Sequence, residues 1–142
     1  MKIISLWQPW ASLMAHGHKQ IETRSWPTSY RGPLLIHAAK RWTAEEADYH
    51  RVFQRTLCVE FDVPLGCIVG LVHLAAVDRT EDMVDYLDEP ELSFGNYSTG
   101  RWAWTTNLTP VLIDPPIPLR GQQGLWDAPP EIVREIAREI AE

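Results

Sequence analysis

Residues 5–40 read SLWQPWASLMAHGHKQIETRSWPTSYRGPLLIHAAK, and the rest of the chain is read outward from them. Trp7, Trp10 and Trp26 are set among Lys19, Glu22 and Arg24, and the stretch closes on Arg31-Gly32 and His37. Glu22 is its single acid. Lys2 to Trp7 is a β-branched and apolar run of strand type. Gln8-Pro9 interrupts it, and Pro9 suits the first turn of a helix, where its missing N–H would be unpaired anyway. Trp10, Leu13 and Met14 fall at i, i+3 and i+4, which predicts a short helix running to His16. Gly17 fits the left-handed position past the helix end. A strand follows from about Gln20 to Trp26. Period-two alternation puts Glu22 and Arg24 on one face and Ile21 and Thr23 on the other. With Ile21 turned into the core, Glu22 and Arg24 face a groove or solvent, and Lys19 leans over them from the turn. Such a cluster beside indoles suits a base, a phosphate or a polar carbonyl. The plain alternative is a surface ion pair of little energetic value.

Gly17-x-Lys19-x-x-Glu22-x-Arg24 matches the GxKxxExR signature of ASCH domains, the module named for homology to activating signal cointegrator. Gln8–Ser12 (QPWAS), Arg24–Trp26 (RSW), Arg31-Gly32, Ile36–Lys40 (IHAAK) and Gly124-Leu125-Trp126 resemble that family in the same order. The resemblance covers residues 1 to about 127. It implies an α+β, PUA-like fold: a small twisted β-barrel with helices at its rim. It also implies a cleft lined by the signature, no cofactor, and RNA, DNA or a modified nucleoside as the ligand. The residues expected at that cleft are Gln8, Trp10, Ser12, Lys19, Glu22, Arg24, Trp26, Arg31, Lys40 and Arg101.

The 142 residues suffice for one domain with a single core. A hydrophobic content of 45% with 10% aromatic residues excludes a disordered chain. No apolar run is long enough to span a membrane and no secretory segment opens the chain, so a cytoplasmic protein is expected. Cys58 and Cys67 show no CxxC or metal-type spacing and are expected to be reduced thiols. The net charge of −6 argues against a general polyanion binder, but its distribution is uneven. Residues 1–42 carry +5, residues 43–100 carry −9 and residues 101–142 carry −2. One basic face and an acidic back are expected, which favours a localised, oriented contact.

Further along, a strand is expected over Leu34 to Ala38. Thr43 with Glu46 forms a capping box that opens a helix to about Leu57, with Tyr49, Val52 and Phe53 as its packing face. Cys67 to Val77 reads as a central strand in which Gly70 marks a bulge or bend. Thr80 is the N-cap expected for a short acidic helix, and Leu92 to Gly100 is a loop able to act as a flap. Arg101 to Thr105 alternates as a strand with Trp102 and Trp104 on one face. Val111 to Ile113 continues the sheet, and the prolines of Asp114 to Pro118 predict an edge or irregular stretch. Leu125-Trp126 is expected to plug the barrel. Glu131 to Glu142 reads as a docking helix with Ile132, Ile136 and Ile140 in one stripe. His37 and His73 read as structural histidines.

Three functions follow from different classes. In a nucleic-acid module, Lys19, Arg24, Arg31, Lys40 and Arg101 meet phosphates or carbonyl edges and Trp10 or Trp26 stacks on a base. Glu22 then accepts a hydrogen bond from an exocyclic amine. In a small hydrolase, Glu22 is the base and Lys19 stabilises an oxyanion. The resemblance extends to small amidohydrolases of acetylcytidine, which carry a threonine where this chain has Glu22. A nuclease using the same pair has no metal-ligand cluster to support a metal-dependent route. The third function is a protein-interaction adaptor.

Overall fold

The computed structural model describes residues 1–141. Six strands form one mixed sheet in the order β2-β5-β4-β3-β1-β6. They are β1 (Lys2–Leu6), β2 (Ile21–Arg24), β3 (Gly32–Ala38), β4 (Cys67–Arg79), β5 (Trp102–Pro118) and β6 (Leu125–Asp127). β1 runs parallel to β3, while the other neighbours are antiparallel. The sheet curls into a half-barrel whose two lips, β2 and β6, do not pair with each other among the described residues. Register shifts at Ile68/Gly70, Leu71/His73 and Leu74/Ala76 accumulate along the β4–β5 ladder, and such irregularities bend a sheet. Gly70 has a second reason to lack a side chain. A Cβ there would lie 2.7 Å from the Ala15 Cβ of helix α1 (Trp10–Ala15), which sits directly on the sheet.

Alternation along the strands divides the apolar residues between two layers. Ile4, Leu6, Leu34, Ile36, Leu74 and Trp104 point to the concave side, where Met14 and Ala15 of α1 cover them. Ile3, Leu35, Ile68 and Ile113 point to the convex side, where Ile132 and Ile136 of α4 (Pro130–Ala141) close over them. The expected docking helix therefore packs on its own sheet, although Ile140 stays half exposed, and Glu142 lies outside the described residues. A third cluster joins Leu13 of α1 to Phe53 of α2 (Ala44–Leu57), Phe61 and Phe94. The capping box of α2 forms as expected, with the backbone N–H and hydroxyl of Thr43 both donating to Glu46 at 2.7 Å.

Four expectations need correction. Trp126 does not plug the half-barrel. It pairs with Ile3 and shares that residue's convex face under α4, and Leu125 packs on the concave core instead. Of the three residues expected as the packing face of α2 only Phe53 is buried, while Val52 is 52% exposed. The proline stretch, by contrast, is the irregular edge expected: β5 runs through it to Pro118, but residues 113–116 have no partner in β4. β2 pairs only with Trp102 to Thr105, so the later part of β5 has one side unpaired by a strand, a setting in which prolines are tolerated. Thr80 is not an N-cap but the buried first residue of α3 (Thr80–Met83), with Arg79 preceding it. Its hydroxyl donates to the carbonyls of Ser98 at 2.7 Å and Arg101 at 3.3 Å, which ties down the 98–101 turn. The 92–100 segment is a wall, since Glu91–Phe94 forms a 3₁₀ turn and Phe94 is buried.

Candidate nucleic-acid interface

The spacing of the signature follows from how α1 ends. Pro9 precedes α1 and has no side chain able to cap it. Gln8 supplies the cap: its Oε1 accepts from Ser12 N–H at 2.9 Å, and its Nε2 donates to Ser12 Oγ at 2.7 Å and Pro64 O at 3.0 Å. At the other end, Gly17 takes φ +83°. Gly17 N–H donates to Met14 O at 3.1 Å and His18 N–H to Leu13 O at 2.9 Å, a Schellman turn that reverses the chain. Lys19 leaves that turn pointing inward and is 1% exposed. Its ammonium donates to Ile21 O and lies 3.3 Å from Glu22 Oε1.

β2 then carries Glu22 and Arg24 on one face. Glu22 stands across from Trp104, so the face it shares is the concave one, above the half-barrel core. Its second oxygen lies 3.3 Å from Arg24 Nε. Arg24 Nη2 also donates to Ser5 O at 2.6 Å, which fixes the guanidinium between two strands. Over this cluster opens a cavity of about 520 Å³. Its aromatic walls are Trp7 and Trp10, Tyr49 of α2, and Trp26; its polar side includes Asn96 and Arg101. Trp26 is held edge-on to Trp104 with centroids 4.9 Å apart, and its carbonyl accepts from Trp104 Nε1 at 3.2 Å. Trp10 and Tyr49 meet at a tilt of 56° with centroids 5.1 Å apart, and Arg41 lies 4.2 Å over the Trp7 ring at the rim. Arg101 Nη2 donates to Thr23 O at 3.2 Å.

Behind Glu22 lies a second polar pair. Glu91 Oε1 accepts from Gln20 N–H at 2.7 Å, while Glu91 Oε2 and Tyr97 OH are buried without a hydrogen-bond partner among the described residues. Burial pushes the Glu91 carboxyl above the usual carboxylate range. Burial, reinforced by the charges of Glu91 and Glu22, raises the Tyr97 hydroxyl well above its ordinary value. Tyr97 is therefore a neutral donor at physiological pH.

Of the ten expected site residues, Trp10, Glu22, Arg24, Trp26 and Arg101 line this cleft. Lys19 sits behind Glu22 and supports it. Gln8 and Ser12 are buried and bonded to each other, forming the cap of α1 and not a ligand surface. Arg31 is exposed elsewhere and bound by its own turn, donating to Thr28 O and Tyr30 O at 2.8 Å. Lys40 lines a different cavity, which also contains His37. His73 does not line the cleft. Trp7, Tyr49 and Glu91 were not anticipated as site residues, whereas Asn96 and Tyr97 fall in the 92–100 stretch expected as a flap. Of the three, Trp7 had a local signal, as an indole of the same aromatic stretch.

Among the described residues no cluster of His, Cys, Asp or Glu is arranged to hold a metal ion, and no helix is long and apolar enough to cross a membrane. Part of the basic excess is neutralised locally, by Lys2–Asp127 at 2.9 Å and Arg41–Glu46 at 3.3 Å.

The chain is 44% identical over 77 residues to activating signal cointegrator 1 of Homo sapiens, and equally to that of Mus musculus. Those alignments cover 50% of this chain and only 13% of each relative, so the chain spans a small part of their length. Its fold is similar to the crystal structure of ASCH from Zymomonas mobilis, with a TM-score of 0.61 at 16% identity, covering 96% of this chain and 93% of that one. A variant of that protein superposes with a TM-score of 0.60. The ASCH domain profile matches residues 4–113, and the chain belongs to the ASCH domain family.

Proposed function

We propose that the chain binds single-stranded nucleic acid by taking one base into the aromatic cleft. The observation that carries this reading is the placing of Trp7, Trp10, Trp26 and Tyr49 around the Glu22–Arg24 pair. A volume of about 520 Å³ accommodates a nucleobase with part of its sugar. Indole and phenol faces stack on any base, at about 1–3 kcal/mol per base. Glu22, held from two sides by cations, is preset to accept from an exocyclic amine, as carboxylates do from the cytosine N4 group. Arg101 stands at the cleft mouth, where a phosphate would pass. RNA and DNA both satisfy these contacts.

The burial of Lys19 favours binding over hydrolysis. Its ammonium is committed to Ile21 O and Glu22, and is therefore a positioning group for the carboxylate. Hydrolysis of a modified nucleoside such as acetylcytidine is the second reading, favoured by one observation: one oxygen of the Glu91 carboxyl and the Tyr97 hydroxyl are buried beside the cluster without a hydrogen-bond partner among the described residues. Tryptophan fluorescence during titration with short single-stranded RNA, single-stranded DNA and duplex DNA tests the leading reading. Saturable quenching that weakens with salt and is lost in Arg24→Ala and Arg101→Ala is expected. Absence of quenching by all three polymers would sink it. Release of acetate from acetylcytidine, abolished by Glu22→Gln, would establish the second.

A further inference from the structure

A second cavity, of about 950 Å³, opens on the other side of β1. Its cations are Lys40 and Arg120, and no carboxylate lines it in a chain of net charge −6. Both cations are exposed and neither forms an ion pair among the described residues. The Lys40 stem lies along Gly66, where a Cβ would come within 2.9 Å of Lys40 Cε, so the side chain is laid in place.

The floor of this cavity is built, not incidental. His37, 2% exposed, lies 2.6 Å by Nε2 from Leu119 O and 2.8 Å by Nδ1 from Ser5 Oγ. A carbonyl can only accept, so Nε2 carries the proton, and Nδ1 of the neutral ring accepts from the Ser5 hydroxyl. Burial lowers the pKa of His37, which keeps the ring uncharged near neutrality. Gly121 closes on this pair, and a Cβ there would be 2.7 Å from His37 Cε1 and 3.0 Å from Ser5 Oγ. The Ser5–His37 pair thereby fixes the 119–121 turn that presents Arg120. Ser5 also joins the two cavities: its hydroxyl serves this one, and its carbonyl accepts from Arg24 in the aromatic cleft. Arg41, next in sequence to Lys40, lies over Trp7 of that cleft with its charge paired to Glu46, which leaves Lys40 and Arg120 as the unpaired cations of the cavity.

We propose that the cavity of Lys40, Arg120 and Gly121 is a phosphate subsite. It holds the backbone of the strand whose base occupies the aromatic cleft, so the ligand is a strand and not a free nucleoside. This rests on the nucleic-acid reading above. The test titrates inorganic phosphate and, separately, a short single-stranded oligonucleotide into the full chain. Amide resonances of Gly121 and Gln122 report on the cavity, and tryptophan fluorescence reports on the cleft. Phosphate is expected to shift both amides saturably in the wild type and not in the Lys40→Ala/Arg120→Ala double variant. Oligonucleotide affinity should fall about tenfold or more in that variant, with a salt dependence shallower by about two counterions. Cytidine binding should not change. Amides that ignore phosphate, or oligonucleotide binding indifferent to the double variant, would overturn the subsite alone. Phosphate binding without any oligonucleotide binding would overturn the strand assignment together with the nucleic-acid reading.

Discussion

Two cavities share Ser5 and differ in nearly everything else. The cleft beside β2 has aromatic walls, and its cations are spoken for: Lys19 and Arg24 hold Glu22, and Arg24 and Arg101 also bond to backbone carbonyls. The cavity beside Gly121 has no acid, and both its cations are unpaired among the described residues. Paired charge in a half-buried site fixes geometry and so discriminates between ligands. Unpaired charge at an exposed site attracts any anion and discriminates little. One side is built to choose and the other to hold.

The contrast breaks first, and with the largest effect, at Lys19. Lys19→Ala removes the buried partner of Glu22, and loss of one member of such a pair costs about 3 kcal/mol. Urea unfolding should show this as a lower midpoint, and a midpoint within error of wild type would mean that the pair holds nothing. Lys19→Ala is for that reason a poor probe of binding, and Arg101→Ala a better one. Next comes Gly121→Ala, where the added methyl must displace His37 or the turn. Overpacking of this kind costs about 1–3 kcal/mol, and phosphate affinity should fall with it while quenching by cytidine persists.

A smaller effect is expected with pH. His37 is held below the ordinary histidine value of 6.5 by burial, against the opposing hydrogen bond to Leu119, and His18 is also lowered by burial and then by His16. The unfolded chain therefore binds protons at a higher pH than the native one. Stability should be full above pH 6.5 and decline as pH falls from there through the lowered native values. Thermal melts at pH 7.5 and 5.5 read the difference, and His37→Gln should flatten it. An unchanged slope in that variant would assign the effect to His18. The smallest effect belongs to Arg31→Ala, an exposed change that should leave stability within about 0.5 kcal/mol and leave nucleic-acid affinity unaltered.

What the sequence disclosed was local. Gly17, Lys19, Glu22 and Arg24 sit within one turn and one strand, so turn chemistry and alternation sufficed to bring their side chains together. The capping box of Thr43 and Glu46 was readable for the same reason. The missed residues reach the site over long separations: Glu91 meets Gln20 across 71 positions, and His37 meets Leu119 across 82. No pattern within a window carries that pairing. Gln8 and Ser12 bond to each other at the start of α1 and do not line the cleft, since a motif records which residues recur together, not whether they serve a ligand or the helix that presents it. Trp126 went to the wrong face because a strand of three residues offers too little alternation to fix its side.

The proline-studded half of β5 bears on colloidal behaviour. From Thr106 onward this strand has no strand partner on its outer side among the described residues, and Val111 and Leu112 are exposed there. A long bare edge with apolar side chains is a template on which another chain can add a strand. Pro110, Pro115, Pro116 and Pro118 each remove a donor from this part of the strand, and the register shift between Ile68 and Gly70 breaks its regularity, which makes the edge a poor template. Replacing them with threonine or valine would leave the concave site untouched, and concentrated solutions of such a protein should cloud where the native chain stays clear.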